Sequence, residues 1–398
     1  MESKITKLIY KYFVIGIIPL ILFQNKAVEA SKEPIIRVLI KKDNQLRVRS
    51  DSSIPLIIRG DKLFNKRVKG LTIKNIENKK VLFFDKDTEN IYDLNKNSFL
   101  IKSFDKRGIW VGDKRYSGII NIIIKDPKIY VVNKIGIEEY LSSVVGAEMP
   151  HKWPLEALKA QAIASRTYAL KKKGNAMFDI DSTQKDQVYK GLESRTLKTQ
   201  RAVRATRSLV MTYNNKLINA LFHSSSAGQT ENSEDVWSNK YAYLRSVKDF
   251  DRKNPKLIWR KSFSKNNLKN LFPLIGGIEN IKVLKKTSTG RIKTLEIIGE
   301  KGSKEISGKD FRGKLKLNST LFNYSFVVPD PNESINLNTN SEDTSKPYLL
   351  ISGKGSGHGV GMSQWGAKYM AAKGSDAYLI LKHFYKGVQI KPFKNIYK

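Results

Sequence analysis

Residues 137–169 read IEEYLSSVVGAEMPHKWPLEALKAQAIASRTYA, and two helices separated by a tight break are written into them. Ile137, Tyr140, Leu141, Val144 and Val145 fall at i, i+3, i+4, i+7 and i+8, the spacing of one helical face, and Gly146 is expected to end that helix. After Ala147-Glu148-Met149-Pro150, a longer helix is predicted from near Pro154, a residue suited to a first turn. It should run through Leu155, Leu158, Ala162 and Ala169 and stop at Gly174, behind Lys171, Lys172 and Lys173, whose charges suit the negative end of a helix dipole. Glu148 would then sit just past a helix end, in an apolar setting, with Pro150 restricting the bend.

Upstream the texture is that of strands, at about 35–40, 63–68, 71–76, 81–84, 119–124 and 129–132, broken by Asp, Asn and Gly clusters. Downstream a helix is expected from Leu197 to about Ser208, then strands near 209–213 and 217–222. Residues 257–328 are mixed, with strands near 281–285 and 294–298, and 329–347 form a polar segment expected to be a loop. The tail from Tyr348 returns to an apolar strand, a glycine-rich turn and a helix. The predicted class is α+β, divided into a β-rich region (31–114), a first core part (115–256), an insertion (257–347) and a second core part (348–398).

The first 30 residues are a different kind of segment. Lys4, Lys7 and Lys11 precede an apolar run from Tyr12 to Phe23, followed by Val28-Glu29-Ala30, the pattern of a secretory signal cleaved after Ala30. Export to the periplasm or cell wall is the expectation, with a membrane anchor as the alternative if the signal is retained. The run is shorter than the roughly 20 apolar residues of a span. The chain of 398 residues carries 72 Lys and Arg against 37 Asp and Glu, a net charge of +35. Such a balance favours anionic partners, and for an exported protein these are wall polymers rather than nucleic acid; a basic bias spread over the whole surface would give the same number. The absence of cysteine removes disulfides, thiolate zinc ligands and thiol catalysis.

Three segments could carry chemistry. In the first, an apolar environment would raise the pKa of Glu148, as a general acid at neutral pH requires; an exposed loop glutamate is the plain alternative. Arg166 shares the apolar face of Leu155, Leu158 and Ala162, so its guanidinium needs an acceptor. It could be Glu148, a backbone carbonyl or a substrate group, and a close pair with Glu148 would oppose an acid role. The second segment, Phe222-His223-Ser224-Ser225-Ser226-Ala227-Gly228, could present Ser225 and Ser226 to a sugar, with His223 a structural histidine. The third, Gly355-Ser356-Gly357-His358-Gly359-Val360-Gly361-Met362-Ser363-Gln364-Trp365-Gly366, could wall a cleft in which His358 and Gln364 line a polar groove. No nucleotide-binding, serine-hydrolase or zincin motif can be placed.

Taken together, Glu139-Tyr140-Leu141, Ala147-Glu148-Met149-Pro150, Glu156-Ala157-Leu158-Lys159-Ala160-Gln161-Ala162, Ser165-Arg166-Thr167-Tyr168-Ala169, Asp186-Gln187-Val188-Tyr189, the 223–237 segment and residues 355–366 resemble the SpoIID/LytB family. The resemblance covers about 115–250 and 348–387. It implies a lytic transglycosylase acting on peptidoglycan glycan strands stripped of stem peptides, with Glu148 catalytic and no cofactor. Arg166, Tyr168, His223, Ser225, Ser226, His358 and Gln364 are then expected to bind or orient substrate. Some relatives bind zinc partly through cysteines near the histidine segment; Ser224, Ser225 and Ser226 stand there in this chain, and no metal is expected. The rival expectations are a non-catalytic wall-binding activator of an amidase, and an ordinary hydrolase of wall polysaccharide.

Overall fold

The structure is a computed structural model and describes residues 33–51, 53–60, 65–77, 80–85, 88–93, 97–172, 176–327 and 348–395. The predicted signal segment, Gly174 and the whole of the 329–347 segment lie outside the described residues. The fold is α+β.

A seven-stranded sheet organises the first half. Its order is Ile180–Asp181, Ile35–Asp43, Lys128–Gly136, Ile119–Lys125, Ser98–Lys102, Leu56–Arg59 and Asn65–Val68. Alternation drives it: Ile120, Ile122 and Ile124 are buried while Ile119, Asn121 and Ile123 are half-buried, so one face is the core. A second sheet of six strands is built from Gln45–Arg49, Gly70–Glu77, Lys80–Asp85, Thr88–Asp93, Ile109–Val111 and Lys114–Tyr116. The strand Lys128–Gly136 pairs on both sides and runs without a loop into helix α1, Ile137–Glu148. The rigid centre of the sheet therefore fixes where α1 begins.

Helix α2 is Leu155–Lys171 and α3 is Leu197–Ala205, started by Thr196 in a capping box with Thr199. Short helices α4 (Ser233–Val236), α5 (Lys265–Leu271) and α6 (Gly308–Lys314) follow, then α7 (Gln364–Ala372) and α8 (Ala377–Phe384). Helices α1, α2 and α8 bury their apolar faces in one large core that also takes in the first sheet. Residues 259–351 gather a second apolar cluster around Leu295, Phe311, Leu349 and Ile351.

Two expectations need correction. Helix α1 does not end at Gly146 but continues to Glu148. Gly146 is required by crowding rather than by a helix stop, because a Cβ there would lie 1.9 Å from the carbonyl oxygen of Ser194. The helix ends two residues before Pro150, and Met149, directly ahead of the proline, is extended, as the steric restriction there demands. Glu148 is thus the last helical residue, with its backbone held by the helix. The strand expected near 217–222 is also broken: Lys216–Leu217 and Phe222–His223 are strands, and the residues between them are not. Phe222 and His223 pair in parallel with Met362 and Ser363, which brings the tail of the chain to the middle.

Candidate active site

Glu148 ends α1 half-buried, and two groups from distant parts of the chain hold its carboxyl. The backbone N–H of Val188 donates to Oε1 at 2.7 Å, and Nε2 of Gln364 donates to Oε2 at 3.3 Å. Burial raises the Glu148 pKa above the ordinary glutamate value, and the two hydrogen bonds and the charge of Lys190 only partly oppose it. The side chain is thereby biased towards the neutral acid and fixed in orientation, the two properties a proton donor needs.

The segment Asp186-Gln187-Val188-Tyr189 aims that N–H. Asp186 accepts from the Tyr168 hydroxyl at 2.8 Å and from the backbone N–H of Asp181 at 2.8 Å, and it pairs with Lys172. Gln187 is fully buried, accepts from the Tyr140 hydroxyl at 3.0 Å and donates to the Ser165 carbonyl at 3.2 Å. The Tyr189 hydroxyl donates to Asn133 at 2.8 Å. With both neighbours and Asp186 tied to the helices and sheet, Val188 has little freedom to leave Glu148. Gln364, the first residue of α7, also lies 3.5 Å from Gln161 Oε1, which ties it to α2.

Arg166 does not join this group. It is fully buried and donates to Glu138, from Nε at 3.0 Å and from Nη2 at 2.6 Å, and from Nη1 to the Leu209 carbonyl at 3.1 Å. The expectation of a substrate clamp fails on geometry, because the guanidinium faces the packing of α1, α2 and α3. The tension between an Arg–Glu pair and an acid role is resolved by the partner being Glu138, which leaves the Glu148 carboxyl free of a cationic hydrogen-bond partner. Tyr168 reaches the site indirectly, through Asp186.

Ser225 and Ser226 are also turned inward. Both are buried, with hydroxyls donating to Asp251 and Asp249, so they do not offer them to a sugar. Their partners had no recognisable pattern in the sequence. His223 is buried, its Nδ1 3.2 Å from the Val360 carbonyl, and its ring centroid lies 5.5 Å from that of His358. Gly357 permits this approach: its φ is +107°, and a Cβ there would lie 2.7 Å from His223 Cβ. His358 accepts from the Val360 N–H at 3.1 Å and bonds the Phe222 backbone, and Trp237 packs edge-on against it. Burial, joined by the charges of Arg312 and Arg291, pushes His358 down to about 3, and burial likewise holds His223 well below its usual range. Both rings are therefore neutral at physiological pH. The fit to zinc is poor: His223 Nε2 is without a partner, but both His358 nitrogens are used and the nearby serines are committed to aspartates. Among the described residues no group of three or more His, Cys, Asp or Glu side chains could hold a metal ion.

The lowered His358 pKa makes a prediction. Unfolded, the ring binds a proton below about pH 6.5, whereas folded it resists protonation down to about 3, so its contribution to stability is complete above 6.5 and is lost on acidification. The loss is up to about 1.4 kcal/mol per pH unit within that window. Asp249, raised to about 6 by burial and by Asp251, contributes in the opposite sense. His358→Asn is accordingly expected to flatten the fall in Tm between pH 6.5 and 4 relative to the parent, as followed by calorimetry.

Comparison with known proteins places this arrangement. The family described as stage II sporulation protein (SpoIID) matches residues 125–213, the stretch that holds α1, α2 and the Val188 segment. A domain of unknown function, DUF8618, matches residues 244–361. The protein "Stage II sporulation protein D" of Bacillus subtilis is 35% identical over 283 residues, covering 65% of this chain and 75% of that one. An uncharacterized protein of Brachyspira hyodysenteriae is 33% identical over 299 residues, covering 73% and 76%. The "Amidase enhancer" of Bacillus subtilis is 34% identical over 292 residues, which span 64% of this chain but only 40% of that longer protein. The chain belongs to the SpoIID family. Membership supports a cell-wall-related function.

Proposed function

We propose that the chain is a peptidoglycan lytic transglycosylase with Glu148 as its acid and base. The observation that carries this is a half-buried carboxyl at a helix end, biased towards its protonated form and gripped by one backbone N–H and one amide. In the first half of the reaction Glu148 donates its proton to the glycosidic oxygen as the bond to C1 of N-acetylmuramic acid breaks, through an oxocarbenium-like state. The carboxylate so formed then takes the proton of the same sugar's C6 hydroxyl, whose oxygen closes on C1 as a 1,6-anhydro ring. Glu148 ends as it began, protonated. The nucleophile is internal, so no second carboxylate need activate water. Val188 and Gln364 assist by steadying the charge on Glu148 between the two proton transfers.

Export to the periplasm or wall, directed by residues 1–30, is part of this proposal. The insertion 257–347 is assigned no step. Mass spectrometry of products from purified glycan strands tests the reaction: anhydro ends are expected, whereas reducing ends would identify a hydrolase. An absence of any cleavage, together with stimulation of a wall amidase, would identify the non-catalytic activator that the name of one Bacillus subtilis relative describes.

Gln364 gives a finer test. Its hydrogen bond stabilises the charged carboxyl, so Gln364→Met should raise the Glu148 pKa further. Activity depends on the protonated acid and falls as pH rises through that pKa. The alkaline limb of the pH–rate profile should therefore move to higher pH in Gln364→Met, with the acidic plateau changed only a few-fold. A limb that stays in place would separate Glu148 from the titration that controls rate.

A further inference from the structure

We infer that Lys368, held over the indoles of Trp153 and Trp365, is the point at which a carboxylate on the bound sugar is recognised. The inference rests on the glycan reading of the Glu148 site. It begins with the helix that supplies Gln364. Lys368 follows Gln364 by four residues on α7, which places the two side chains on the same face one turn apart. Gln364 reaches Glu148 at 3.3 Å. Trp365 is the next residue on α7, and Trp153 lies in the turn that follows Glu148-Met149-Pro150. Both elements that position the acid therefore also supply this cluster.

The geometry is that of a fixed cation. The Lys368 ammonium lies 4.2 Å from the centroid of the Trp365 ring and 5.2 Å from that of Trp153, and the two indoles meet edge to face at 4.9 Å. Two aromatic faces restrict a side chain that would otherwise sample many rotamers, so less entropy is lost when it binds an anion. Among the described residues Lys368 has no carboxylate partner within ion-pair range. That is unlike Lys159 and Lys172, which pair with Glu156 and Asp186. Trp365 and Lys368 are half-buried, so the cluster can be reached from solvent. An indole pair with an unpaired ammonium suits a sugar ring that carries an acid group. In the proposed substrate that group is the free lactyl carboxylate of muramic acid, which becomes a neutral amide when a stem peptide is attached.

The test uses full-length protein carrying Glu148→Gln, so that binding is read without turnover. Two probes are used: a peptide-free glycan oligosaccharide, and the same oligosaccharide with its lactyl groups converted to methylamides. The Glu148→Gln protein is expected to bind the acid about tenfold more tightly than the amide, with the difference shrinking as salt is raised. Adding Lys368→Met should bring the acid down to the affinity of the amide and leave the amide unchanged, whereas adding Lys368→Arg should keep the preference. In a protein with Glu148 intact, Lys368→Met should raise KM for the acid substrate and leave kcat and the pH profile in place. The inference is overturned if the preference survives Lys368→Met, if acid and amide bind alike from the start, or if neither binds. Because binding is measured apart from cleavage, a chain that binds the acid selectively but cuts nothing would refute the transglycosylase proposal and leave the role of Lys368 standing.

Discussion

Glu148→Gln is expected to lower the release of anhydro-ended glycan by roughly 10²–10⁴-fold, the range that a positioned general acid supplies. The amide is nearly the same shape, and its oxygen can still accept the Val188 N–H, but it has no proton to give to the leaving oxygen. Stability should move the other way or not at all. Burial makes the ionised form of Glu148 unfavourable in the folded protein, so at neutral pH a permanently neutral side chain removes a cost. An unchanged or slightly raised Tm with lost cleavage would mark a residue kept for chemistry rather than for folding. Cleavage that persists would remove Glu148 from the reaction.

Arg166→Met is expected to do the reverse. Its guanidinium is fully buried against Glu138, whose Oε1 also accepts the Ser208 N–H at 3.0 Å. Removing the cation strands a carboxylate among helices α1, α2 and α3 and leaves the Leu209 carbonyl without its donor. A loss of about 3–5 kcal/mol is expected, as for other broken buried pairs, measured by urea or thermal unfolding. Replacing both partners, Arg166→Met with Glu138→Leu, should recover much of that loss, because no charge is then left alone. A substrate clamp would show the opposite pattern, with an unaltered melt and a raised KM.

How far the sequence could be read follows the range of the interactions involved. The apolar face of α1 was legible because Ile137, Tyr140, Leu141, Val144 and Val145 repeat with the period of the helix they form. The alternation at 119–124 and the isoleucines and leucines near 281–285 and 294–298 gave strands that the structure contains. Gly146 misled because its reason is the Ser194 carbonyl, 48 residues away, and no local pattern reports a collision at that distance. Arg166 was correctly set on a buried face, but its acceptor on α1, 28 residues earlier, depends on how two helices cross. Ser225 and Ser226 had the composition of a sugar-facing loop, and only the fold shows that Asp249 and Asp251 take their hydroxyls. Val188 had no side-chain chemistry to notice, since its part is played by the backbone. The resemblance drew attention to its segment without assigning it a task.

Gln364 meets Glu148 across a separation of 216 residues, and the strand beside His223 that leads into it comes from the same late stretch. A polypeptide interrupted before residue 362 would possess the acid, the arginine that braces its helix and the segment that aims Val188, yet would lack the amide, the flanking strand and the tryptophan–lysine cluster. The candidate site is therefore assembled only once residues 362–368 are present. Under the proposed reaction, a chain that stops short of residue 364 would hold the acid without the amide that orients it.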